Sequence, residues 1–337
     1  MVSRTTSLPT IADDLETAAP VRLGAGSFAT VFVISGGPVV YKQVHTVEHA
    51  STLLDEYNTL DKIYSHCHTD SFFAIPRALA FNNPLAEYGG FITSTPSPPS
   101  HRRRRADRPI VTPAVMHVFD APVYAMDRVH ALPLDVRNFL KEKFFPPAVN
   151  VGPALCRLYF GKKYPIITEP KFVNSQNFPL DADRYAMLRS YLTILPPASE
   201  VAEGMGEMLG RMHNVAGVDA RDVEFVLGGD GSGGYTFFII DFNQASLQLS
   251  VDVYEATDND QVRKWSKVVD DVGDIVQPFF ANDPYYPRPR PGDDLYEAFK
   301  SAYLAQYGSQ TKPVGLAFLQ AIEREQASRD ARHAGGA

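Results

Sequence analysis

The chain has 337 residues, enough for one large domain or for two lobes with a sizeable core. Apolar residues make up 45% and charged residues 21%, which excludes wholesale disorder, and no apolar run reaches the eighteen residues that a membrane span needs. The net charge of −7 is uneven: residues 101–171 hold 13 Lys and Arg against 6 Asp and Glu, so this part carries +7 and the remainder −14.

Residues 1–20 lack an apolar leader core and carry acids early, which predicts a flexible N-terminus and no secretory signal. From Val21 to Val44 the alternation of "VRLGAGSFATVFVIS" and "VVYKQV" about a Gly-Gly-Pro turn predicts an antiparallel hairpin. Leucines and tyrosines at helical spacing predict a helix over 48–66, and strand-like text returns over 72–93. Residues 94–113, rich in Pro and Arg, are expected to form a disordered basic insert in an N-lobe spanning 21–129. A strand over 122–129 leads into a linker. The helical C-lobe, 130–308, is expected to carry helices over 134–144, 151–160, 181–194, 199–214 and 291–308, with a hairpin over 223–241. A helix and tail occupy 309–337. This order predicts an α+β, two-lobed protein-kinase-like fold with a β-rich N-lobe and an α-rich C-lobe. Cys67 and Cys156 lie far apart and read as buried thiols of a reducing, cytoplasmic compartment.

Several pieces fit a kinase-type site. Gly24 and Gly26 match the first two glycines of a phosphate loop, with Ala29 where the third would stand. A hairpin turn accounts for them equally well. Lys42 falls on the next strand and Glu56 on the helix after it, in the order and spacing of the phosphate lysine and its acidic partner. In "GVDARDVEFVLGG", residues 217–229, Asp219 takes the position of the catalytic base and Glu224 that of the metal-binding Asn. Asp241-Phe242-Asn243 replaces Asp-Phe-Gly. These departures argue against ordinary ATP-dependent phosphoryl transfer. Asp219, Asp222, Glu224 and Asp241 instead make an acidic cluster suited to acid–base work and to holding a guanidinium. Asp222 also reads as an ordinary turn or cap residue.

"DDLYE", residues 293–297, opens the helix that follows Pro291 and Gly292. Asp294 with Glu297 has the spacing of a capping box, which leaves Asp293 over. The run "HRRRRADR" supplies Arg102, Arg103, Arg104, Arg105 and Arg108 as candidate contacts to an RNA backbone, the alternative being a solvated loop.

"MHNVAGVDARDVEFVLGG" (212–229), "IIDFNQ" (239–244), "DPYYPRP" (283–289) and "LYEAFKSAYL" (295–304) together resemble the fungal arginine-containing cyclodipeptide synthases, a kinase-like domain family formerly of unknown function. The likeness runs from about Leu23 to Tyr307. It implies natural-product chemistry in which arginyl-tRNA and a second aminoacyl-tRNA condense to a diketopiperazine, without ATP, cofactor or metal. It also implies an essential Asp-Asp-x-x-Glu motif on Asp293, Asp294 and Glu297. Asp219 and Glu224 would join these in catalysis, and Asp222, Asp241, Lys42 and Glu56 would bind substrate. Phe172, Phe178, Tyr185 and Tyr191 are the aromatic candidates for the second amino-acid pocket. The expected partners are aminoacyl-tRNAs, with no membrane and no obligate protein. Two other readings stand beside this one: a small-molecule kinase resembling aminoglycoside phosphotransferases, and a non-catalytic pseudokinase-like RNA-binding module.

Overall fold

The structure is a computed structural model that describes residues 19–34, 37–86, 90–94, 111–165, 177–243, 245, 272–281 and 284–335. The chain divides into two compact units, one of residues 1–61 and 76–128, the other of 62–75 and 129–337. It is α+β, with a six-stranded sheet in the N-terminal part and a mainly helical C-terminal part, consistent with a two-lobed kinase-like fold.

In the first unit the strands are β1 (Pro20–Ala25), β2 (Ala29–Ile34), β3 (Val39–Val44), β4 (Ala78–Asn82), β5 (Phe91–Thr93) and β6 (Val123–Asp127). They pair antiparallel in the order β1-β2-β3-β6-β4-β5. Alternation sorts the side chains to two faces. Val39 and Tyr41 of β3, Leu79 of β4, and Val123 and Ala125 of β6 pack on Val115, Met116 and Phe119. The intervening Lys42 and Tyr124 meet Glu56 of helix α1 (Ala50–Cys67), which belongs to this unit as far as Asp61.

The margins of the basic insert are ordered, contrary to expectation. Ser94 is buried, donates to the Ala78 carbonyl at 2.7 Å and is bonded to the Tyr57 hydroxyl at 2.9 Å. Thr112 caps helix α2 (Pro113–Met116), accepting from Val115 N–H at 3.4 Å. A capping threonine with proline at the first helical position is a helix start, which the density of prolines concealed.

The second unit contains helices α3 (Leu134–Phe144), α4 (Ala182–Tyr191), α5 (Ala198–Arg211), α6 (Gly273–Ala281), α7 (Asp294–Ala305) and α8 (Lys312–Gly335). Its sheet comprises β7 (Leu155–Leu158), β8 (Asn177–Leu180), β9 (Glu224–Gly229) and β10 (Tyr235–Ile240), in the order β10-β9-β7-β8. Residues 151–160 therefore form no helix. Gly152 and Pro153 interrupt helical propagation, and Cys156 and Leu158 point into the core while Arg157 between them pairs with Glu224. Period two prevailed over an apolar run too short to show its period. Among the described residues no helix is long and apolar enough to cross a membrane.

Helices α5 and α7 approach until backbone meets backbone. A Cβ at Gly206 would stand 2.1 Å from the Phe299 carbonyl oxygen, and one at Gly210 2.8 Å from that of Tyr303. The spacing Gly-x-x-x-Gly puts both on one helix face. Tyr296, Phe299 and Tyr303 of α7 are fully buried, so this contact lies in the core of the unit.

Candidate active site

In the first unit the β1–β2 turn closes through Gly26 N–H to the Ala29 carbonyl at 2.9 Å. His45 ties the turn down: Nδ1 donates to the Ser27 carbonyl at 3.2 Å, and Nε2 accepts from the Thr30 hydroxyl at 3.0 Å. Lys42 Nζ lies 2.6 Å from Glu56 Oε1, and the Tyr124 hydroxyl donates to the same oxygen at 2.9 Å. Glu56 is 3% exposed. The lysine–glutamate pair that spacing predicts is thus formed. A buried ion pair of this kind depends on both partners, because removing one strands a charge in a poorly solvated site.

The acid loop of the second unit begins where α5 widens into a π turn, Met212–Ala216. Gly217 ends the turn with φ 64°, a left-handed conformation that glycine adopts without a Cβ clash. Both Gly217 and Val218 N–H donate to the Met212 carbonyl, the latter at 2.9 Å. Ala220, Asp222 and Asp241 are also left-handed, with φ of 54°, 62° and 62°. Such conformations cost on the order of 1 kcal/mol or more each in non-glycine residues and gather at functional sites. Asp219 is 2% exposed, and its Oδ1 accepts from Arg221 N–H at 3.1 Å.

Pairing of β9 with β10 sets Glu224 opposite Ile240, so Asp241 leaves the hairpin at the end where Asp222 and Glu224 enter it. The structure therefore brings Asp219, Asp222, Glu224 and Asp241 to one end of one hairpin. Glu224 is engaged there: Arg157 Nη2 of neighbouring β7 lies 2.5 Å from its Oε1, and Arg157 Nη1 donates to the Tyr159 hydroxyl at 3.1 Å. Burial alone would lower the Arg157 guanidinium, but the Glu224 carboxylate together with Tyr285 and Tyr159 outweighs it and the net shift is upward.

Behind the loop is a buried polar group that reading the sequence missed. His213 Nδ1 is 3.0 Å from the Tyr303 hydroxyl, which is 2.6 Å from that of Tyr307. Burial holds the imidazole down at about 4, partly offset by the main chain and carboxylate of Asp219, so the ring is neutral at neutral pH. Tyr286 is buried, and burial together with the Asp219 carboxylate drives its phenol upward. His213 stands six residues before Asp219, and that proximity was the available signal. Arg157 gave none, because its segment reads as helix.

At the start of α7 the capping residue is Asp293, not Asp294. Asp293 Oδ1 accepts from Leu295 and Tyr296 N–H at 3.1 and 3.0 Å, and Glu297 Oε1 accepts from Gly292 N–H at 3.0 Å. The helix starts one residue earlier than the capping-box spacing suggested, so Asp294 is left over. Asp294 is exposed and makes no hydrogen bond or ion pair among the described residues. D293A is expected to lower stability by about 1 kcal/mol, the usual worth of such a cap. D294A should leave the melting curve unchanged, so thermal melts of the two variants separate the cap from its neighbour.

Arg102, Arg103, Arg104, Arg105, Arg108 and Phe172 lie outside the described residues. Phe178 and Tyr185 are buried, with the Tyr185 hydroxyl donating to the Pro196 carbonyl at 2.8 Å. Tyr191 is exposed and stacks on Phe139 at 4.3 Å between centroids.

Residues 257–312 match a family model, DUF3669, described as zinc finger protein. The matched stretch includes the Asp293–Glu297 run and contains neither cysteine nor histidine, so it lacks the side chains of a Cys/His zinc site. No curated protein matches the chain.

Proposed function

We propose that the protein is a tRNA-dependent cyclodipeptide synthase that condenses arginyl-tRNA with a second aminoacyl-tRNA into an arginine-containing diketopiperazine, in the cytoplasm and without ATP. The observation that carries this reading is the Arg157–Glu224 pair. Where a phosphotransferase needs an amide to bind its second metal, this chain has a carboxylate committed to a guanidinium. The resemblance of the loop and of the α7 motif to the synthase family supplies the chemistry.

The aminoacyl ester is already activated. The free α-amine of one aminoacyl group attacks the ester carbonyl of the other, the C–O bond breaks, and the first tRNA leaves with its hydroxyl protonated. The remaining α-amine then attacks the second ester, closing the six-membered ring and freeing the second tRNA. Each attack requires a base for an ammonium proton and close placement of two esters. Asp219 is the base in this reading. Asp222 and Asp241 receive the arginyl guanidinium, for which a carboxylate is the strongest neutralising partner. Asp293, Asp294 and Glu297 act as the family motif implies, and the basic run containing Arg102–Arg105 and Arg108 holds tRNA phosphates.

Expression in a bacterial host, with mass spectrometry of the medium, tests the reading because host tRNAs supply both substrates. Arginine-containing cyclic dipeptides that depend on this chain support it; their absence together with a soluble, folded product counts against it. The Lys42–Glu56 pair favours a second reading, a small-molecule kinase, since that pair is what positions nucleotide phosphates in such enzymes. A thermal shift with Mg-ATP, and phosphoryl transfer to a small acceptor, would distinguish it.

A further inference from the structure

The acid loop and the Asp293–Glu297 motif come from distant stretches of sequence, and one buried side chain joins them. His213, on the π turn, has its ring edge-on to Phe318 (5.1 Å, 89°) and to Tyr303 (5.8 Å, 84°), so aromatic rings confine it on two sides. Nδ1 bonds the Tyr303 hydroxyl at 3.0 Å, and Tyr303 is a residue of α7, the helix that Asp293 caps. Nε2 is buried with no hydrogen-bond partner among the described residues, and the main chain and carboxylate of Asp219 act on the ring. An unsatisfied buried nitrogen is costly and calls for an explanation. The π turn itself is a local departure from α-helix of the kind that recurs at functional sites, and here it places His213 between the two segments.

We propose that His213 is a positioning residue for Asp219: Tyr303 holds the ring in its neutral Nε2–H form, and that N–H steadies the Asp219 main chain, tying the acid loop to helix α7. The titratable groups facing the ring are Asp219, Tyr303 and, through Tyr303, Tyr307 and Tyr286. The inference rests on the reading of Asp219 as the synthase base, but the tie itself can be measured without turnover.

The experiment uses the full chain labelled with 15N. Wild type should show one neutral His213 tautomer, protonated on Nε2, unchanged between pH 6 and 8. Y303F removes only the hydroxyl. It should populate the second tautomer, raise amide exchange of residues 217–222 about tenfold, and lower kcat about tenfold at unchanged KM for arginyl-tRNA. A wild-type ring protonated on Nδ1 overturns the proposal before any variant is made. So does a Y303F protein whose tautomer and loop exchange match wild type, or one that loses stability while kcat holds. Faster loop exchange with no cyclic dipeptide from wild type under any conditions leaves the tie standing and sinks the synthase reading instead.

Discussion

For the proposed synthase, D219N is expected to fold and to lose cyclic-dipeptide formation by about 10²–10⁴-fold, the range that a positioned general base contributes. The substitution is chosen to separate chemistry from structure. Asp219 Oδ1 accepts from Arg221 N–H at 3.1 Å, and the amide oxygen of Asn can accept the same hydrogen bond, so the turn into Ala220 is kept. A neutral hydrogen bond of this kind contributes about 1 kcal/mol, too little for its weakening to imitate a thousandfold loss of turnover. The carboxamide cannot take a proton from an α-ammonium. Burial of Asp219 at 2% exposure also means that water does not substitute readily for the missing base. The check is product formation per folded protein, with the melting curve recorded on the same sample. Activity within a few-fold of wild type would remove Asp219 from the mechanism.

G206V is expected to destabilise the second unit markedly. In an open helix position, exchanging glycine for a residue with a side chain gains up to about 1 kcal/mol of helix propensity. At Gly206 that gain is overridden, because the first added carbon would lie 2.1 Å from the Phe299 carbonyl oxygen, 2.8 Å from its carbonyl carbon and 3.0 Å from its Cα. These are backbone atoms of α7 that cannot rotate aside, so the helices must separate along a face that buries Tyr296, Phe299 and Tyr303. Overpacking of this kind costs about 3 kcal/mol or more, which lowers the melting temperature by roughly 6–12 °C for a unit of this size. Gly273, at the start of α6, provides the control, because a Cβ added there would meet no atom within 4 Å. G273A should melt at or slightly above wild type. Equal tolerance of both substitutions would show that α5 and α7 do not pack as described.

The features of the fold legible in the sequence are those governed by local period and order. Alternation about "SGGP" marked the β2–β3 hairpin, and the leucine and tyrosine spacing of 48–66 marked α1. The Lys42–Glu56 pair followed from strand-then-helix order, because the side chains of successive elements in that arrangement face one another. What escaped depends on tertiary pairing. Arg157 reads as part of a short apolar run, and only its place on β7 beside β9 makes it the partner of Glu224. The cap of α7 was displaced by one residue, since Asp293 and Asp294 have the same chemistry and only backbone direction decides between them. His213 and Tyr303 lie in separate segments and meet through the close packing of α5 on α7, which the spacing of Gly206 and Gly210 alone did not announce.

The most direct test supplies purified protein with arginyl-tRNA and the full set of other charged tRNAs, omits ATP, and reads the products by mass spectrometry. The expected result for the proposed synthase is a cyclic dipeptide containing arginine, with release of both deacylated tRNAs. No cyclic dipeptide from any pairing, alongside binding of Mg-ATP and phosphorylation of a small acceptor, would contradict it.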